Sequence, residues 1–292
     1  MNREQNMGIY FNRVTIIGVG LIGGSLARVI REKSLAGEIY GIGRTEENLQ
    51  KAKSLGLIDQ YFLRATEDMR ESDLIILSSP VGTFLQIIKE MGPYLRERAI
   101  VTDAGSVKGD LVGKIEEALP GKVNFVGGHP IAGKESSGVQ AASGDLFKGA
   151  KCILTPTPKT DKWSLDVVKS LWEEAGCEVI LMDPHLHDRV FAAVSHLPHV
   201  IAYALVNTVA RMDFGGADPL SLSGRSFKDL TRIASSPPEL WRDICLYNRE
   251  NILNVIESFE RILNIMKEYL EKGNGDGLFK EFGEAKRVKE NS

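Results

Sequence analysis

Three groups of residues in this chain have the types and spacing to do chemistry: glycines that can seat a phosphate, histidines that can move a proton, and an arginine that can clamp a carboxylate. Residues 14–25 read Val-Thr-Ile-Ile-Gly-Val-Gly-Leu-Ile-Gly-Gly-Ser. A β-branched run leads straight into Gly18-x-Gly20-x-x-Gly23. Gly18 permits a tight turn off a strand. Gly20 lets the backbone approach a pyrophosphate, and Gly23 lets the next helix pack close to the sheet. Leu21 and Ile22 open that helix, whose N-terminal N–H groups are free to meet phosphate. Leu26, Val29 and Ile30 fall on one helical face, so the triad stands between a strand pattern and a helix pattern. A glycine-rich structural turn is the bland alternative.

All five histidines lie between residues 129 and 199. His129 sits in Gly127-Gly128-His129-Pro130-Ile131-Ala132-Gly133 and is the best candidate acid/base, since an imidazole titrates near working pH. Ser106, in Asp103-Ala104-Gly105-Ser106-Val107-Lys108, offers a second hydrogen bond to the same substrate oxygen. The bland alternatives are a loop histidine held by backbone and a serine capping a helix. His196 and His199 are three residues apart and share a helical face. Pro198 between them is expected to kink that helix. Substrate contact and a buried structural role are both open for the pair, while His185 and His187 read as structural. In Phe227-Lys228-Asp229-Leu230-Thr231-Arg232, Arg232 has the planar fork that clamps a carboxylate, against a solvated helix face as the alternative. Trp241 reads as core.

The elements that must position these residues alternate through the first half of the chain. Strands are expected at Val14–Gly18, Glu38–Ile42, Leu74–Ser78, Ala99–Asp103 and Val123–Val126, with helices at Gly23–Lys33, Glu46–Leu55, Val81–Met91 and Leu111–Leu119. Two further strands, Cys152–Pro156 and Glu178–Met182, flank a helix that includes Leu165–Glu174. This alternation implies an α/β, doubly wound parallel sheet of Rossmann type. Ligands of such sheets bind beyond the C-terminal strand ends, where Ser78-Ser79-Pro80, Asp103–Lys108 and Gly127–Gly133 fall. Past Asp183-Pro184, an N-cap followed by proline at the first helical position, helical periodicity takes over at His187–Met212 and Pro237–Leu270. The expected division is a dinucleotide-binding domain at 8–182, an all-α helical domain at 183–272, and a flexible or loosely docked tail at 273–292.

The chain has 292 residues and a net charge of −3, so no basic excess points to nucleic acid or anionic membrane. The N-terminus lacks the apolar core of a signal peptide, and apolar runs are too short to cross a bilayer. Three scattered cysteines read as reduced packing residues of a cytoplasmic protein and argue against structural zinc. No metal site is expected.

Taken in order, Gly18-x-Gly20-Leu-Ile-Gly23-Gly-Ser, Asp103-Ala-Gly-Ser106-Val-Lys, Gly128-His129-Pro-Ile-Ala-Gly133, Ser195-His196-Leu-Pro-His199 and Phe227-Lys-Asp-Leu-Thr-Arg232-Ile-Ala make the chain resemble the prephenate dehydrogenase family. The resemblance runs from Val14 to about Leu270. It implies NAD(P)-dependent oxidative decarboxylation of prephenate to 4-hydroxyphenylpyruvate, in tyrosine biosynthesis. His129 would accept the ring-hydroxyl proton and Ser106 would orient that hydroxyl. Arg232 would bind a substrate carboxylate, and His199 would line the same pocket. Glu135 matches an acidic position that pairs with the arginine, and Lys228 and Trp241 match positions that reach the pocket, in part from a second subunit. The helical domain would be a dimerisation domain, giving a homodimer. Cofactor contacts are expected from Gly18, Gly20, Leu21, Ile22, Gly23, Gly43, Arg44, Thr45, Ser78, Ser79, Pro80 and Asp103.

Two departures from the family pattern bear on specificity. Relatives that use NAD commonly carry an acidic residue after the second strand, to hold the ribose 2′-hydroxyl. Gly41-Ile42-Gly43-Arg44-Thr45 carries none, which favours NADP over NAD, with Arg44 against a 2′-phosphate. Gly224-Arg225-Ser226 places a cation where relatives run glycines, near the substrate mouth. Arogenate or dual-substrate activity is the nearest rival reading. A β-hydroxyacid dehydrogenase with a lysine base and a non-catalytic cofactor sensor are the others. With only about a dozen residues before the first strand and a short tail, a monofunctional enzyme without a separate regulatory domain is expected.

Overall fold

A computed structural model describes residues 9–133 and 138–291. β1 (Phe11–Ile17) runs into α1 (Leu21–Glu32), β2 (Ala36–Ile42), α2 (Glu46–Ser54) and β3 (Gln60–Phe62). β4 (Leu74–Leu77), α3 (Phe84–Met91), β5 (Ile100–Asp103), α4 (Gly109–Ala118) and β6 (Asn124–Pro130) complete the parallel part. β7 (Lys151–Thr155), α5 (Lys162–Glu174) and β8 (Glu178–Leu181) follow. The strand order is β3-β2-β1-β4-β5-β6-β7-β8. The order reverses between β1 and β4, the crevice where dinucleotides bind in this architecture.

The sheet departs from the expected pattern twice. β3 is a three-residue edge strand, too short to show a period. β7 pairs antiparallel with β6, in the register His129↔Ile153, so the sheet is mixed rather than wholly parallel. The long excursion 131–150 brings the chain back to run β7 the other way, which an alternation count cannot reveal. The apolar faces pack on both sides of the sheet. Leu26, Ile30, Leu49, Leu171 and Trp172 build one core; Phe84, Ile88, Leu111 and Ile115 build the other, joined by Trp241 and Ile244 from beyond the sheet domain.

The helical part begins with α6 (Pro184–Phe191), which Asp183 caps by accepting the His185 and Leu186 N–H groups. A π-helical turn, Ala192–His196, joins it to α7 (Leu197–Arg211). The expected kink at Pro198 is thus a wide turn just before the proline, where the i→i−5 spacing, seen in the Leu197 N–H reaching the Ala192 carbonyl, accommodates a residue with no N–H to donate. α8 (Arg225–Thr231), α9 (Pro238–Tyr247), α10 (Arg249–Glu271) and α11 (Gly275–Glu290) follow. The helical periodicity expected over Pro237–Leu270 is realised as two helices that meet at Asn248. The tail, expected to be flexible or loosely docked, forms a helix with no buried residues, its N-terminus capped by Asn274, which accepts the Gly277 N–H. Pro184–Arg211 as a whole is long and apolar enough, by length and composition, to cross a membrane, contrary to the expectation from apolar runs. Its buried polar residues His187, Asp188 and His196 are tied into the protein instead.

Candidate active site

The phosphate-binding turn follows from three glycines under different constraints. Gly18 has φ +95°, and a side chain there would run into the Ser78–Ser79 backbone at about 2.7 Å. At Gly23 a Cβ would lie 2.4 Å from the Gly18 carbonyl and from Ser78 Oγ, so α1 approaches the sheet only because this residue is glycine. Gly20 has open space where its side chain would be. No side chain caps α1, leaving its first N–H groups, including those of Leu21 and Ile22, for an anion. Ser78 Oγ donates to the Gly18 carbonyl at 2.7 Å, and Ser79 Oγ lies 2.9 Å from Thr83 Oγ1; with Pro80 they form the wall after β4. Gly43, Arg44 and Thr45 link β2 to α2, with Arg44 exposed and Thr45 at the N-cap position of α2. This cradle fits a dinucleotide at the point where the strand order reverses.

Asp103, expected to contact cofactor, is buried. Its carboxylate pairs with the buried Lys108 ammonium, accepts the Gly105 N–H at 2.9 Å and accepts the Gly128 N–H at 3.0 Å. It therefore acts as the floor that fixes two loops, the one carrying Ser106 and the one carrying His129. Ser106 is half-buried between those anchors. It is not a helix cap, because α4 starts at Gly109 with Lys108 at the N-cap position.

His129 is 8% exposed, at the end of β6. Its Nδ1 lies 2.8 Å from His187 Nε2, and His187 Nδ1 lies 2.8 Å from Asp188 Oδ1. Burial holds the His129 imidazole well below its ordinary pKa, helped by His187, Lys108 and His196. His187, read from sequence as structural, is the direct partner of the candidate base. Its neighbour Asp188 accepts the Lys108 N–H at 2.8 Å. Neither was legible as a site residue, since adjacent residues on a helix point to different faces.

His196 is fully buried and pushed down to about 4 by burial. Its Nδ1 lies 3.0 Å from Asn248 Nδ2, which also donates to the Asp188 carbonyl at 2.8 Å. His199 is half-buried and lies flat on Trp241, ring centroids 3.5 Å apart at 20°. Its Nδ1 donates to the Ser195 carbonyl at 2.9 Å. Burial lowers its pKa, and the nearby Arg232 guanidinium adds to that. Trp241 is thus core, as the sequence suggested, and also the platform for His199. Arg232 and Lys228 are exposed on and just after α8. Glu135 lies outside the described residues.

A glycine cradle at a strand-order reversal, with a buried histidine and a serine at adjacent strand ends and a helical domain closing over them, defines a two-domain NAD(P)-dependent dehydrogenase. The family model for the prephenate dehydrogenase nucleotide-binding domain matches residues 26–181, and that for the prephenate dehydrogenase dimerization domain matches 183–284. The chain belongs to the prephenate dehydrogenase family. A crystal structure of prephenate dehydrogenase from A. aeolicus, in complex with hydroxyphenyl propionate and NAD+, is similar with a TM-score of 0.92 and 44% identity, over 98% of this chain and 99% of that one. Prephenate dehydrogenase of Bacillus subtilis is 35% identical, over 94% of this chain and 74% of the relative. Cyclohexadienyl dehydrogenase of Zymomonas mobilis is 34% identical, over 96% of this chain and 95% of the relative. The protein is an oxidoreductase of that family, acting on a small cyclohexadienyl substrate with a nicotinamide dinucleotide.

Proposed function

We propose that this protein oxidises and decarboxylates prephenate to 4-hydroxyphenylpyruvate. The observation that carries the reading is His129: an imidazole buried at the end of β6 and held well below its ordinary pKa by that burial, on a strand whose Gly128 N–H shares the Asp103 carboxylate with Gly105, the residue before Ser106. The cofactor, when bound, accepts the hydride from the ring carbinol carbon. His129 takes the hydroxyl proton as that hydride departs, and Ser106 holds the hydroxyl oxygen in line. Loss of carbon dioxide then aromatises the ring. Arg232 binds a substrate carboxylate, and His199, held flat by Trp241, lines the pocket with Lys228. Arogenate, with an amine for the keto group, would undergo the same chemistry and is the second reading; the family relative acting as a cyclohexadienyl dehydrogenase favours keeping it.

NADP is the favoured cofactor, with NAD accepted as well. Arg44 stands exposed between β2 and α2, and the segment Gly41–Thr45 has no carboxylate to repel a 2′-phosphate. The active species is a cytoplasmic homodimer formed through the helical domain. The deciding experiment is the initial rate of cofactor reduction, with prephenate and arogenate each tested against NAD and NADP. Prephenate turnover, fastest with NADP, is expected. Arogenate-only turnover would change the substrate, and a strong NAD preference would remove Arg44 from the specificity reading. In the same assay His129→Asn is expected to bind cofactor yet lose at least about 10²-fold in kcat.

A further inference from the structure

His187 and Asp188 have no part in that mechanism, yet His187 occupies the Nδ1 side of the His129 ring and Asp188 stands behind it. Asp188 Oδ1 accepts hydrogen bonds from the Lys108 N–H and from His187 Nδ1, each at 2.8 Å. It lies at the N-terminus of α4, close enough that a Cβ on Gly109 would meet Asp188 Oδ2 at 2.5 Å, where a negative side chain interacts favourably with the helix dipole. A carboxylate only accepts, so His187 Nδ1 carries the hydrogen. In a neutral ring, His187 Nε2 is then an acceptor. That acceptor lies 2.8 Å from His129 Nδ1, which must donate. The chain of bonds leaves His129 Nε2 with its lone pair, the form a base needs.

We propose that Asp188 and His187 form a relay that sets the tautomer of His129 and stores the substrate proton during turnover. The inference rests on His129 being the base. The substrate O–H bond breaks as an N–H bond forms at His129 Nε2. The proton on His129 Nδ1 passes to His187 Nε2, so His129 is neutral again and the positive charge rests on His187, beside the Asp188 carboxylate. The carbinol hydride leaves with its electron pair for the nicotinamide. After carbon dioxide departs with its bond broken toward the ring, the proton retraces the path to the phenolate oxygen, and the enzyme ends in its starting state.

The surroundings explain why storage at His187 is better than at His129. Around His129 burial, His187, Lys108 and His196 all oppose a positive charge. Around His187 burial and Lys108 oppose it, but the Asp188 bond and the Asp188 and Asp103 charges favour it. Lys108 is itself paired with Asp103. Asn248 holds the Asp188 carbonyl and His196, and the Phe191 ring lies 4.9 Å from His129 and 4.4 Å from His187, centroid to centroid, shutting that side of the pair.

The test uses the full chain with prephenate and saturating cofactor, comparing Asp188→Asn with His129→Asn. Asp188→Asn keeps the shape of the carboxylate and removes its charge. Its kcat is expected to fall about 10²-fold with KM within a factor of about three, and the acid limb of the kcat–pH profile is expected to move to lower pH, because the charge that favoured protonating the pair is gone. A lower kcat with an unmoved limb would mean a structural role and overturn the relay. Full activity in Asp188→Asn beside a dead His129→Asn would also overturn it, leaving His129 as the base. An active His129→Asn would overturn the base assignment itself. Independently of any variant, ¹⁵N spectra of histidine-labelled protein at neutral pH should show His129 with Nδ1 protonated and Nε2 bare. The opposite tautomer would sink the proposal.

Discussion

A histidine kept neutral by burial is a base at pH 7 and a liability in acid. His196 falls to about 4 in the folded protein from an ordinary value of 6.5. Between those pH values the unfolded chain binds a proton that the folded chain does not. Stability therefore rises with pH across that window and is lost as pH falls through it. For this residue the difference amounts to about 3 kcal/mol. His129 and His187 act in the same direction. The thermal midpoint is expected to drop steadily from pH 7 to pH 5, and more gently in His196→Gln. A midpoint flat across that range would mean that these rings take up protons without strain in the fold.

Among the elements, the turn from β1 into α1 has the least tolerance. A methyl at Gly23 would have to displace the Gly18 carbonyl or the Ser78 hydroxyl, and both shape the cradle. Gly23→Ala is expected to weaken cofactor binding at least about 10-fold, the order of one lost hydrogen bond or one strained contact, measured by quenching of protein fluorescence; unchanged affinity would show that α1 can shift outward without cost. This turn was legible because its glycines are dictated by local sterics. So was the α6 cap, where Asp183 and Pro184 suffice. What sequence missed depends on distance through space. The antiparallel β7 is set by where a long loop returns. The break at Asn248 is set by that residue's amide reaching Asp188 and His196. The His129–His187 contact joins residues 58 positions apart, and nothing in the periodicity of either segment announces it.

At the scale of the whole molecule, the helices leave a large apolar area uncovered. Leu253, Ile262, Leu263, Ile265 and Leu270 on α10, and Phe279 and Phe282 on α11, are all exposed, more than a monomer ordinarily presents. With a family model for a dimerization domain matching this region, sedimentation equilibrium is expected to give twice the chain mass of 32.2 kDa. A single species at the chain mass would remove the homodimer. Toward the sheet domain the same helical region is tightly bound: Trp241 and Ile244 enter the sheet's core, and Asp188 holds the start of α4. The π turn at Ala192–His196 gives this docking its angular setting. In a regular helix the nine positions from His187 to His196 sweep about two and a half turns, so the rings would emerge on opposite sides. The wide turn absorbs one residue, a rotation of about 100°. One slipped residue thus works as a phase shift, letting a single rod address His129 on the sheet with one ring and Asn248, at the junction of α9 and α10, with the other.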